Sequence, residues 1–183
     1  MDPKFIETCL KNSFAAGLPS AVERASELKF LNFIPGHWFS RAVSESLKLY
    51  VNGYFYAVIV TSQAYIEALG KYLCKLNGQR ATKDVILNWK KLVTHGVADS
   101  ESFDAAESIY HHRNDFHHLN PTVETDYFKL KELALSCLDN IFVIESKFFG
   151  YSSNNGAISV DHPKYWPKSS DNPEQLLVYI RNI

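Results

Sequence analysis

The chain has 183 residues, of which 46% are hydrophobic and 21% charged, enough to bury one substantial core and too apolar for a disordered segment. Its formal net charge of −1 supplies no basic excess, so any nucleic-acid contact has to come from a local patch. Three scattered cysteines, Cys9, Cys74 and Cys137, form no CxxC pair, which argues against a zinc ribbon or a disulfide framework and for a reducing compartment.

In chain order the first segment, 1–36, reads as a helical extension. Its pattern is broken at Gly17-Leu18-Pro19, after which Ser20 and Glu23 have the spacing of a capping box. The start lacks the basic-then-apolar order of a signal peptide. From His37 to Asn52, Phe39, Val43, Leu47 and Tyr50 recur at helical spacing, and Asn52-Gly53 reads as a bend. A stronger helix follows from Tyr54 to Leu76, closed by Asn77-Gly78. Its most apolar stretch, YFYAVIV, is too short to span a bilayer, so the expectation is a cytoplasmic protein with no membrane contact. On this helix Glu67 and Lys71 stand at an ion-pair spacing.

Lys83 to His95 predicts a shorter helix, and a further one begins after Asp99 or Ser100. That helix runs into SIYHHRNDFHHLNP, residues 108–121, which holds four of the seven histidines. Pro121 cannot continue a helix. The last long helix spans about 123–149. The remainder, 150–183, is rich in Ser, Asn and Pro and reads as an irregular arm, with EQLLVYIRNI open between a short strand and a docked helix. The predicted fold is all-α: an antiparallel bundle of four to five helices over 37–149 with an irregular C-terminal arm.

The histidine segment admits three readings. A run of His and Arg at a helix C-terminus is favoured by the helix dipole and needs no function. His111, Asp115 and His118, at i, i+4 and i+7, share one helical face and could ligate a metal. The third reading rests on the order Arg113-Asn114-Asp115-Phe116-His117-His118: an arginine, a small polar residue, three further residues and a histidine.

This order resembles the signature of the HEPN superfamily of small helical proteins. Two preceding helices, the second containing AVIVTSQAYIEALGKYL, a helix with WKKLVTHGVAD, the motif helix and a long last helix resemble that family over about 37–149. The resemblance implies a metal-independent endoribonuclease without a cofactor, of the kind found among toxins and phage-defence effectors. It further implies a homodimer with a composite site, and a controlling antitoxin or nucleotidyltransferase partner.

The residue types suit that chemistry. RNA supplies its own 2′-hydroxyl nucleophile, a histidine exchanges protons near neutral pH, and an arginine fork matches a phosphate. By the resemblance, whose usual spacing points to His118, Arg113 and His118 are the expected catalytic pair. Asn114, His117, Asp115 and Glu67 are expected to bind substrate or support the site. On an ideal helix Arg113 and His118 point roughly 140° apart. Either the helix unwinds after Phe116, or two copies face each other across a two-fold axis. His117, at i+4 from Arg113, is the rival of His118. The alternatives to a nuclease are a catalytically silent HEPN-like module that binds RNA, a nucleotide or a protein, and a His/Asp metal protein. No GxxxxGK, GxSxG or HExxH motif is present.

Overall fold

A computed structural model describes residues 2–112, 116, 125–155, 157–172 and 174–181. It is mostly helical with a few short strands. Helix α1 spans Pro3–Ser26. Asp2 caps it by accepting from the Lys4 amide, and Pro3 occupies the first turn, where no amide donor is missed. The break expected at Pro19 does not occur, and Ser20 lies inside the helix. Proline leaves the Ala15 carbonyl without its donor, but α1 is exposed there, so water can take that bond.

The bundle follows. Helix α2, Ser40–Val51, buries Val43, Leu47 and Tyr50. Gly53 takes φ +82° in the tight turn that reverses the chain into α3, Phe55–Leu76. Helix α3 is the central element. It packs on α2, on α4 (Val85–Thr94), on α5 (Ser100–His111) and on α6 (Tyr127–Phe149). Its buried side include Val58, Ile59, Ile66, Leu69 and Leu73, each of which gains roughly 1.5–3 kcal/mol on leaving water. Gly70 lets α4 come close: a Cβ there would stand 3.0 Å from the Trp89 ring nitrogen, which donates to the Ile66 carbonyl at 3.2 Å.

The helix starts follow from side-chain caps. Asp84 accepts from Leu87 at 2.9 Å, Asp99 from Ser102 at 2.9 Å, and Asp126 from Phe128 and Lys129 at 3.0 Å. Asp126 therefore starts α6 at Tyr127, later than the expected start near 123; Thr125 and Asp126 are not helical.

The C-terminal segment is more ordered than an irregular arm. Strands β2, Tyr151–Asn154, and β3, Ala157–Val160, form an antiparallel hairpin. A 3₁₀ turn at Pro163–Tyr165 then lays Tyr165 and Trp166 into the core beside Phe148 and Phe149. The undecided end resolves as a strand, β4, Val178–Ile180. It pairs antiparallel with β1, Phe33–Pro35, with Ile34 opposite Tyr179. The all-α expectation thus holds for the bundle and gives way to short strands in the hairpin after α6 and where β4 returns to β1.

Just past β4, Arg181 turns inward. Its two terminal nitrogens donate to the two carboxylate oxygens of Glu145 at 2.8 Å each, and neither side chain is more than 1% exposed. The Tyr65 hydroxyl donates to the same carboxylate at 3.3 Å, and Arg181 Nε reaches Ser44 Oγ at 3.3 Å. Burial works against the guanidinium's charge, but the Glu145 carboxylate outweighs it and raises the Arg181 pKa.

Candidate functional site

Arg113, Asn114, Asp115, His117 and His118 lie outside the described residues, as does Pro121. The structure defines the frame that carries them. Helix α5 ends at His111, with His112 as its cap residue. His111 is exposed; the other two members of the proposed metal triad, Asp115 and His118, lie outside the described residues. Among the described residues, no three His, Cys, Asp or Glu side chains are grouped to hold a metal ion.

Phe116, in the middle of the motif, is 3% exposed. Its ring packs on Tyr56 at 5.4 Å between centroids, and the Tyr56 hydroxyl donates to the Phe116 carbonyl. On the far side of the segment, Tyr127 opens α6 with its ring 5.1 Å from Phe55. Phe116 and Tyr127 are thus held by adjacent residues in the first turn of α3.

Deeper along the same helix, the Gln63 amide nitrogen donates to the Ile109 carbonyl at 3.4 Å. This bond ties α3 to the last turn of α5, immediately before the motif. The Gln63 side-chain oxygen is buried and has no partner among the described residues.

Glu67 lies elsewhere. It stands eleven residues beyond Tyr56, a separation of three helical turns, so it shares that face of α3 about 16 Å further on. Its carboxylate accepts from Lys71 at 2.6 Å, as the i, i+4 spacing suggested. Glu67 and Lys71 line an open groove of about 490 Å³ with Trp38, Tyr72 and Lys75. Trp38 is 77% exposed there, whereas Trp89 and Trp166 are buried. Lys75 is exposed and forms no ion pair among the described residues.

The wall behind Trp38 is firm. His37 stacks on Phe39 at 4.9 Å and lies 4.4 Å from Tyr72. Burial holds the His37 pKa below its usual value, and its neutral ring donates from Nε2 to the Tyr165 carbonyl at 2.8 Å. Sequence reasoning missed both Tyr56 and Trp38. Tyr56 sits in an apolar run where a hydroxyl carries no signal of its partner. The exposure of Trp38 depends on how α2 meets α3.

Comparison with protein-family models, curated proteins and solved structures returned no match to this chain. The functional reading therefore rests on the motif and its frame. No helix among the described residues is long and apolar enough to cross a membrane.

Proposed function

We propose that this chain is a metal-independent endoribonuclease of the HEPN type, acting at a composite cleft between two copies. The observation that carries the reading is the burial of Phe116 against Tyr56 within the Arg113–His118 motif. An inert histidine-rich helix end needs no such anchor in its middle. A catalytic segment does, because proton transfer and phosphate binding demand positions fixed to a fraction of an ångström.

In this reading the Arg113 guanidinium holds the scissile phosphate through paired N–H donors. His118 exchanges the proton of the 2′-hydroxyl or of the leaving oxygen. The 2′-oxygen attacks phosphorus and the P–O5′ bond breaks, giving a 2′,3′-cyclic phosphate and a 5′-hydroxyl. Asn114 orients the phosphate, and Asp115 and His117 support the pair. The divergence of Arg113 and His118 around a helix is met by a second copy, which presents its own pair across the axis. A nuclease of so few parts calls for a control partner of the antitoxin or nucleotidyltransferase class, and for a toxin or phage-defence role.

The groove at Trp38 supports a second reading, in which the module binds without cleaving. An exposed indole beside Lys71 and Lys75 suits a stacked base and its phosphate. Incubation of purified protein with RNA in EDTA separates these readings. The nuclease reading expects cleavage, lowered on the order of 10²- to 10⁴-fold by Arg113→Ala and by His118→Ala. His117→Ala should be mild; if it alone abolishes cleavage, the histidine assignment is wrong. Cleavage only with added divalent metal favours the His111–Asp115–His118 metal reading. Binding without any cleavage, weakened by Arg113→Ala, favours the silent module.

A further inference from the structure

Helix α1 carries Ile6, Leu10, Phe14, Leu18 and Val22 at every fourth position, and also Phe5. All six are exposed, Phe14 at 71%. In proteins most helical stability comes from a packed apolar face rather than from propensity, and α1 buries no residue of its own. Five large apolar side chains on one i, i+4 ridge, with Leu10, Phe14 and Leu18 at its centre, therefore mark a contact surface; Phe5, nine residues before Phe14, points the opposite way.

The bundle meets α1 only near its C-terminal end. Arg24 donates from Nε to the Val51 carbonyl at 2.7 Å, and its Nη1 lies 3.5 Å from the Tyr127 hydroxyl. Leu10, Phe14, Gly17 and Ala21, with Asn52 and Tyr54, wall a groove of about 350 Å³. A Cβ at Gly17 would meet nothing within 4 Å, so another backbone can approach there.

We infer that this groove receives α1 of a second copy, lying antiparallel, and that the second copy's groove receives this α1 in turn. The stripe is its own complement. Turned about Phe14, Leu10 lies beside Leu18 of the other copy, as an isologous contact requires, while Ile6 and Val22, about 80° to either side of Phe14, flank the contact. Residues four apart form a ridge inclined about 26° to the axis, and two such ridges interdigitate at a crossing near 50°.

The direction follows from shape and charge. The C-terminal half of each arm already has a bundle against it and the N-terminal half has none. Parallel arms would bring two bundles to the same level, whereas antiparallel arms set the free half of each on the bundle-bearing half of the other. Antiparallel dipoles also attract. Glu7 and Lys11, 2.5 Å apart, neutralise each other on the flank of the stripe.

The area is at the low end of a specific interface. Roughly 100 Å² exposed on each of the five ridge side chains gives about 500 Å² per copy, and exposed Tyr54 carries the two-copy total past the ~1,000 Å² that a specific contact needs. The inference does not use the nuclease reading, but it serves it. Both arms are rooted, through Arg24 and Tyr127, at the bundle end that holds Phe116, so pairing them draws the two motif segments to one side.

Sedimentation or light scattering of the full chain, without RNA, tests this. The expected mass is twice 20.8 kDa, and Phe14→Glu or Leu10→Glu should halve it with little change in helical circular dichroism. A wild-type monomer at micromolar concentration overturns the inference, as does a dimer that survives both substitutions. So does a monomer that instead sediments with phosphatidylserine vesicles.

In a Cys9→Ser background, Leu10→Cys chains mixed with Leu18→Cys chains should form an intermolecular disulfide, and Leu10→Cys chains alone should not. The reverse result means parallel arms and overturns the assignment. A monomeric Phe14→Glu protein that still cleaves RNA supports the arm contact while sinking the composite cleft, so the two ideas fail separately.

Discussion

Among the described residues, Arg181 and Glu145 form the most deeply buried ion pair. Both side chains are sealed from solvent, and among the described residues the carboxylate accepts from Arg181, twice at 2.8 Å, and from Tyr65 at 3.3 Å. Removing one charge strands the other, which costs about 3–5 kcal/mol for buried pairs, more than a median surface bridge by several-fold. Arg181→Met should therefore lower the urea midpoint sharply. The double change Arg181→Met with Glu145→Leu should recover much of the loss, because it strands no charge. A single substitution no worse than the double would show that the pair is not held as described.

A second residue-level expectation concerns acid. Asp99 accepts hydrogen bonds from Lys147 and from Ser102, which hold its carboxyl well below the usual range. Lys131 and Tyr50 hold Glu27 low in the same way. Both groups bind a proton less readily when folded, so their contribution is full above the unfolded value near pH 4 and is lost as pH falls through the folded values. Denaturation midpoints should be flat on this account from neutral pH down to about 5, then drop. Asp99→Asn keeps a helix cap and removes the charge, so it should shallow the drop without abolishing α5. An unchanged acid limb would exclude Asp99 as a contributor.

At the scale of elements, the first turn of α3 is where fold and proposed chemistry join. Tyr56 holds the Phe116 carbonyl and Phe55 packs on Tyr127, so this turn brackets the motif's exit and the start of α6. Tyr56→Phe keeps the ring contact and deletes the donor, at a stability cost of about 1–3 kcal/mol for the carbonyl left behind. If the anchor positions the catalytic pair, RNA cleavage should fall by on the order of 10- to 100-fold. The exposed Tyr54→Phe change should leave cleavage untouched. Equal activity in both variants would detach Phe116 from the chemistry.

What was legible in the sequence divides along the same lines. Helices α2 to α5 were readable because their apolar residues repeat at helical spacing and local signals bound them: Asn52-Gly53, Asn77-Gly78 and Gly96 at the ends of α2, α3 and α4, and the Asp99 cap at the start of α5. Helix α1 was misread because Pro19 is a strong local stop signal, while the stripe running through it is visible only over the whole segment. Strand β4, three residues long, shows no period, and its partner β1 is far away in sequence. The Arg181–Glu145 pair and the Tyr56–Phe116 bond are likewise non-local, and no spacing rule reaches them. Of the candidate site, Arg113 and His118 were legible as a motif, whereas the anchor beneath them was not.

At the scale of the whole molecule, the two ends of the chain play opposite parts. The C-terminal stretch is built into the core: Tyr165 and Trp166 pack on Phe148 and Phe149, Leu177 accepts from and packs on Gly36, and Arg181 neutralises Glu145. Ending the chain after Gly150 would expose those aromatic faces, unpair β1 and leave a charge buried alone. The losses share neighbours, so they should act together rather than add as independent sites. Such a chain should fail to show a cooperative melt. Removing 1–23 is a different operation, because α1 buries no residue of its own and the contacts of Arg24 and Glu27 remain. That chain should melt within a few degrees of the intact protein when both are monomeric, since surface changes away from caps and core usually stay within about 0.5 kcal/mol. A truncation at 150 that melts normally, or loss of the bundle on removing 1–23, would reverse the roles assigned to the two ends.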